Sequence, residues 1–455
     1  MFLNNMPQHK TLPLYLGMKS CQLTATCFAI IFSSIATAQT ASHTTAISNA
    51  ADKIEQKVIA WRQDIHQNPE LGNREFRTAA LVAKHLESLG IEVKTKVGVT
   101  GVVGILKGGQ PGPVVALRAD MDALPVEEKN DLPYASKAKA EYNGQQTFVM
   151  HACGHDGHVA MLMGAAEILA SMKKDLKGTV KFIFQPAEEG GPKGEEYGAE
   201  LIVKEGVMEN PKVDVVFGLH MSAQTEVGKI KYRPGPYMAS SNDFKIVVKG
   251  KPSHGSQPWL AVDPITTSAQ IINSIQTIVS RNMNLAENPS VVTVASIHGG
   301  NRYNIISENV EMTGTIRTFT DSDKDFIFQR INEVVNHTTA AAGATATVEM
   351  PYSIHYPVTV NNEKLTAAML PTLQRVAGKG NVEYGALITG AEDFSYYAQK
   401  APGLFLFIGG MPKGKDPKTS APHHTPGFII DDSAFKTGVN TLCNLVFDYM
   451  EMNKK

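Results

Sequence analysis

Met150-His151-Ala152-Cys153-Gly154-His155-Asp156-Gly157-His158 packs a thiol, three imidazoles and a carboxylate into nine residues. It runs straight into an apolar pattern with helical spacing, Val159, Leu162, Met163, Ala166, Ile168 and Leu169. Side chains able to bind a transition metal are therefore concentrated where a turn becomes a helix. On either side, strand signals alternate with helical ones. Strands are expected over residues 101–106, 113–119, 179–185 and 213–219, and helices over 49–67, 76–89, after His155 and over 199–207. Pro69 stops the first helix, and Gly90 closes the second at the position after its end. The runs Val114-Val115-Ala116-Leu117 and Val180-Lys181-Phe182-Ile183-Phe184 have the β-branched, apolar character of strands covered on both faces. The alternation predicts an α/β domain around a central, mostly parallel sheet.

The pattern changes after Pro234-Gly235-Pro236. A strand over 244–248, a helix over 264–280, strands over 291–296 and 310–319, a helix over 324–341 and a strand over 344–350 follow. This βαββαβ order is the split, ferredoxin-like arrangement. It predicts a domain over 237–352 inserted into a metal-binding domain made of 49–236 and 353–455. A helix over 363–376, a strand over 404–408 and a terminal helix over 433–452 complete the second part. A chain of 455 residues exceeds one ordinary core, in keeping with two domains.

Hydrophobic content of 43%, charged content of 19% and a formal net charge of -1 give no footing for a nucleic-acid or membrane partner held by bulk electrostatics. At the N-terminus, Lys10 and Lys19 precede an apolar run from Cys21 to Ile35, and Ala36-Thr37-Ala38 follows. This is the layout of a signal peptide over 1–38, cleaved near Ala38, with Met18 as an alternative start and a periplasmic or secreted destination. The run is short for a membrane span; an uncleaved anchor is the competing reading. The mature chain then keeps only Cys153 and Cys443. Metal ligation by Cys153 competes with a disulfide between the two, and Cys443 reads as a buried helix residue.

Every metal candidate falls at the end of a predicted strand or at a strand-to-helix turn, where open α/β sheets hold ligands. They are Arg118-Ala119-Asp120-Met121-Asp122-Ala123-Leu124-Pro125, the stretch quoted above, Gln185-Pro186-Ala187-Glu188-Glu189-Gly190-Gly191, Gly218-Leu219-His220 and His423-His424-Thr425-Pro426. An isolated Glu-Glu pair is most often solvated, but Glu188 and Glu189 cap a buried-type strand and lead into two glycines. Adjacent carboxylates suit hydrolysis, since one can hold a metal while its neighbour takes a proton from water. A single histidine at a strand end is more often structural, so the case for His220 rests on its company. The glycines of Gly101-Val102-Val103-Gly104 open no helix, which removes a nucleotide-binding reading.

Together with Pro252-Ser253-His254, these stretches resemble the M20 metallopeptidase family, above all its amidohydrolase branch of N-acyl-amino-acid amidohydrolases, hippurate hydrolases and plant indole-acetyl-amino-acid hydrolases. The resemblance runs in order over roughly residues 50–450. It implies Cys153, His155, Glu189, His220 and His424 as ligands of two divalent ions, which could be zinc, manganese, cobalt or nickel, and Glu188 as the general base. Typical members have His-x-Asp where this chain has Asp120-Met121-Asp122. The roles of the two aspartates stay open, with Asp122 assigned to orient a ligand histidine. Of His423 and His424, the following Thr-Pro favours His424. The inserted domain is implied to be a lid and dimerisation module, whose His254 reaches toward a partner subunit's site to polarise the scissile carbonyl. Asn304 and Arg317 are implied to hold a substrate carboxylate; the bland alternative for Arg317 is a solvated strand face. The expected activity is hydrolysis of the amide joining an acyl group to an amino acid by a homodimer with no stable membrane span after signal cleavage. A dipeptidase or peptidase acting on short peptides is the first alternative, and a non-catalytic metal- or peptide-binding protein the second.

Overall fold

Neither glycine nor proline occurs between Gln22 and Gln67, and alanine recurs throughout. In the computed structural model, which describes residues 22–453, the whole of Gln22–Gln67 is one helix. The helix expected from residue 49 therefore starts well before it, because nothing in residues 22–48 breaks a helix. Side chains of that helix are described from His43 onward. The signal peptide expected over 1–38 lies outside those described side chains. Among the described residues no helix is long and apolar enough to cross a membrane. The chain divides into Met1–Ala46 and Ile47–Lys455, and the architecture below is that of the second unit.

The apolar runs form the centre of an eight-stranded mixed sheet. Four parallel neighbours occupy its middle, in the order Lys177–Gln185, Gln110–Asp120, Val215–Glu226 and Gly403–Met411. All nine residues of the last are buried, as expected of a strand covered on both faces. The flanks differ from the mostly parallel expectation. Gly101–Lys107 pairs antiparallel with Lys177–Gln185 and with Glu92–Val97. Only residues 98–100 separate Glu92–Val97 from Gly101–Lys107, too few for a parallel crossover. At the other flank Ile230–Tyr232 runs antiparallel to Gly403–Met411 and parallel to Val382–Tyr384.

The helix predicted after the metal-type stretch is His155–Ser171, buried along nearly its full length against the sheet and against Ala434–Met452. It starts from Gly154 at φ 98°, a left-handed conformation that favours glycine. Cys153 and Cys443 are both buried and free, so the disulfide alternative is excluded.

A second sheet has the order Val291–Gly299, Asn309–Arg317, Ser241–Lys249 and Thr345–Glu349, every pairing antiparallel. Helices Pro264–Thr277 and Asp321–Ala342 pack on it through Phe244, Ile246, Ile271, Ile275, Ile327 and Ile331. This is the anticipated βαββαβ topology with a core of its own. Its helices begin where the sequence supplies caps: Asp263 accepts the Ile265 and Thr266 amides, and Thr320 accepts that of Asp323. The chain leaves the larger sheet through Gly235–Met238 and returns through Thr359–Asn361, and these two short strands pair with each other.

Candidate metal centre

The carboxyl ends of the four parallel strands gather the predicted stretches. Register sets Asp120 beside Gln185, Arg118 beside Gly218, and His220 beside Phe407. Beneath them, fully buried Arg118 donates to Asp120 at 2.5 Å, to Asp393 at 2.8 Å and to Gln185 at 2.8 Å, and lies 2.9 Å from Glu392. Burial opposes its charge, but Glu392, Asp120 and Asp393 hold its pKa well above the ordinary value. This cation thus ties the ends of two strands to the loop after Gly390.

The Cys153 sulfur lies 3.4 Å from His220 Nε2 and 3.3 Å from His424 Nε2, and His424 Nε2 is 2.8 Å from Glu189 Oε1. Two donor groups overlap at this thiol, one with His155 and His220, the other with Glu189 and His424, each with its donor atoms within 4.8 Å of one another. Hydrogen bonds decide which histidines have a lone pair to offer. His155 Nδ1 donates to the Asp122 carbonyl at 2.9 Å with Asp122 Oδ1 at 3.2 Å, while its buried Nε2 has no hydrogen bond. His220 Nδ1 donates to the Met221 carbonyl at 2.6 Å, turning Nε2 toward the thiol. By contrast, His158 donates to Asp120 at 2.6 Å and accepts the Met221 amide at 2.8 Å, so both its nitrogens are engaged. His423 is engaged likewise, by the Cys153 carbonyl and the Ala223 amide, each at 3.2 Å. His424, left-handed at φ 63°, turns the other way and anchors its amide on the Ala152 carbonyl.

The residues fit a divalent cation. Burial, with Glu189, Glu188 and Asp120 nearby, pushes the Cys153 thiol well above its usual pKa, so a cation is what would make its thiolate stable there. Burial holds His220 neutral, the form that ligates. Asp122 accepts the Glu189 amide through Oδ2 at 2.8 Å while its other atoms hold His155, the placement of a group that orients two donors. Asp120 bonds His158 and Arg118 and sits 3.8 Å from His155 Nε2. The Glu188 carboxylate is 4.0 Å from His155 Nε2. Burial and the carboxylates of Glu392, Glu189 and Asp393 raise its pKa strongly. The Tyr356 hydroxyl holds the Glu188 carbonyl at 2.8 Å.

A cavity of about 430 Å³ is bordered by Cys153, Glu188, Glu189, His220 and His424 and also by Arg317. Arg317 Nε bonds Thr315 Oγ1, and among the described residues the guanidinium pairs with no carboxylate. His254 and Asn304 do not border this cavity. They lie together among the residues between Gly235–Met238 and Thr359–Asn361, where Ser253–His254 pairs with Ile305–Ile306 and the exposed His254 accepts the Ser256 amide. Glu392 and Asp393 went unassigned in the sequence although they repeat the signal of Glu188 and Glu189, adjacent carboxylates beside small and apolar residues. The buried set of Arg62, His66, Glu128 and Asp156, the last on the His155 helix itself, gave no local signal as a set, because its other members lie far from Asp156 in the chain.

A sheet whose strand ends converge on a thiol, imidazoles and paired carboxylates defines a metal-dependent hydrolase. The sequence profile of peptidase family M20/M25/M40 matches residues 116–448, and the chain belongs to that family. It is 42% identical to thermostable carboxypeptidase 2 of Saccharolobus solfataricus, over 86% of this chain and 95% of that protein. It is 38% identical to N-acetyl-L-cysteine deacetylase of Bacillus subtilis, over 84% and 85% respectively. Among solved structures it resembles Bacillus subtilis YXEP, described as a dinuclear metal binding peptidase from the M20 family. That match has a TM-score of 0.73 and 32% identity, and covers 88% of this chain and 99% of the other.

Proposed function

We propose that this protein hydrolyses the amide bond of N-acyl amino acids, using two divalent ions held by Cys153, His155, Glu189, His220 and His424. The observation that carries the reading is one cavity bordered both by Cys153, Glu188, Glu189, His220 and His424 and by Arg317, whose guanidinium pairs with no carboxylate among the described residues. When bound, the ions would supply the positive charge that acidifies a water and polarises the scissile carbonyl. Glu188 takes the proton of the attacking water and returns it to the leaving nitrogen, so the carboxyl ends each cycle as it began. Arg317 holds the carboxylate of the amino-acid half, for which a planar fork is suited. Asp122 keeps His155 and the Glu189 loop in position throughout.

His254 and Asn304 enter the reading through a second copy of the chain. The inserted domain carries exposed Trp259, Leu260, Ile297, Tyr303 and Ile305, apolar surface that supports a dimer through this lid. In such a dimer His254 of the partner subunit stabilises the oxyanion and Asn304 helps to hold the substrate carboxylate. Sedimentation of the purified chain tests the dimer, and N-terminal sequencing of exported protein tests cleavage near Ala38.

Replacing Glu188 with Gln is expected to abolish turnover with metal content nearly unchanged; a fully active variant refutes its role. A second reading, a carboxypeptidase or dipeptidase, is favoured by the likeness to thermostable carboxypeptidase 2. It too needs Arg317 for a terminal carboxylate. Rates on hippurate, N-acetyl amino acids and dipeptides separate the two.

A further inference from the structure

Two cavities meet at Glu189. The second, about 1190 Å³, shares Glu189, Tyr197 and Ile354 with the one that holds Arg317. Its floor is Leu71, Ala123, Leu124 and Pro125, fixed where Leu71 bridges Ala123 and Leu124 pairs with Met150. One wall is the hairpin of Lys139–Tyr142 and Gln145–Phe148, turned at Asn143-Gly144, whose left-handed residues suit a tight hairpin turn. The loop from Gly190 to Gly194 forms the other. Arg74, the guanidinium on this side, is neutralised by both oxygens of Glu195 at 3.1 and 2.6 Å. Both cavities have apolar lining, Met238, Ile388 and Phe407 in the smaller and Leu71, Ala123, Leu124 and Pro125 in the larger, which also carries Lys193 and Glu141; what separates them is the Arg317 guanidinium in the smaller and the greater volume of the larger.

We infer that the larger groove takes the acyl half of the substrate, and that this half is an extended apolar chain rather than an acetyl group. The inference rests on the N-acyl-amino-acid reading above. With the carboxylate at Arg317 and the scissile carbonyl at Glu188 and Glu189, the acyl substituent departs across Glu189 into the groove. An acetyl methyl would leave the floor of Leu124 and Pro125 wet. Each methylene fully moved from water onto such a floor strengthens binding roughly fourfold. The groove is open on one side, so six added methylenes are expected to give about tenfold or more rather than the full product.

The test is a series of N-acetyl, N-butanoyl, N-octanoyl and N-dodecanoyl derivatives of one amino acid, offered to the metal-reconstituted protein. Binding of the same series to the Glu188→Gln variant is measured by calorimetry. The expected result is a kcat/KM at least about tenfold higher for octanoyl than for acetyl, with Kd falling as the chain lengthens. Leu124→Asp is expected to lower the octanoyl-to-acetyl ratio. So is Tyr142→Glu, at an exposed hairpin position where folding is not at stake. Equal or faster turnover of the acetyl compound, or a ratio unmoved by both variants, overturns the inference and leaves the N-acyl-amino-acid reading standing. No turnover of any member overturns both.

Discussion

Asp122 offers a test of the site's construction that does not depend on the substrate. Its Oδ2 accepts the Glu189 amide at 2.8 Å, and its Oδ1 lies 3.2 Å from His155 Nδ1, which also meets the Asp122 carbonyl at 2.9 Å. A carboxylate serves two N–H donors at once, whereas an amide has one acceptor and must turn its NH₂ toward one of them. In Asp122→Asn the oxygen is expected to stay on Glu189, because the main-chain carbonyl still holds His155. The loss is then one long, charge-assisted contact, about 1.5 kcal/mol at the low end for bonds to charged groups, or roughly tenfold in metal affinity. Asp122→Ala removes both contacts and strands the Glu189 amide, for about 3 kcal/mol and roughly a hundredfold. Competition against a chromophoric chelator at fixed pH measures both, with melting of the metal-free proteins as the control for folding. An Asn variant that binds metal as tightly as wild type, or an Ala variant no weaker than Asn, would refute the reasoning.

Three further outcomes are expected. Arg317→Ala should lower kcat/KM on acyl amino acids by about 10- to 100-fold, the range for losing a hydrogen bond to a charged group, whereas amidated substrates should lose little; equal losses on both would argue against a carboxylate contact. His66 is buried, which disfavours its charge, yet its bonds to Asp156 at 2.7 Å and Glu128 at 3.2 Å raise its pKa in the fold. Its protonation therefore stabilises the protein fully below the unfolded histidine value near 6.5 and progressively less as pH rises through the folded value, so the destabilisation by His66→Phe, followed by urea unfolding, should shrink from pH 6 toward alkaline pH. Gly409→Ala would drive a Cβ into the Glu226 carbonyl oxygen at the bulge between Gly403–Met411 and Val215–Glu226; a loss of about 1–3 kcal/mol is expected in thermal melts, and an unchanged Tm would contradict the packing.

Elements announced by runs of apolar residues were the legible ones. Val114 to Leu117, Val180 to Phe184 and the helix after His155 each declare themselves locally, and the donors at their ends come with them. Glu92–Val97 escaped because it is a polar edge strand with one buried residue, which leaves no periodic signature. The hairpin over 139–148 is also mostly exposed; its Asn143-Gly144 was the one available cue. Strand direction at the sheet's flanks was hidden for another reason: a strand's composition reports its burial, while its pairing follows from connection length. Within the site, proximity of donors could be anticipated, and Thr425-Pro426 favoured His424, but the main-chain partners at Cys153 and Ala223 that occupy His423 are ones only the folded chain brings near. Arg118 shows the limit most plainly, since nothing in its own neighbourhood announces Glu392 and Asp393.

The pairing of Gly235–Met238 with Thr359–Asn361 has a consequence for how this chain could be taken apart. Met238 and Thr359 are register partners, so the segment between them starts and ends at adjacent points on a two-stranded stem. A two-residue turn joining those strands would excise the insertion without stretching the larger sheet. The shortened protein would keep Cys153, His155, Glu188, Glu189, His220 and His424 and lose Arg317, His254 and Asn304 together. Such a chain would separate, in one molecule, the ability to capture a cation from the ability to choose a substrate.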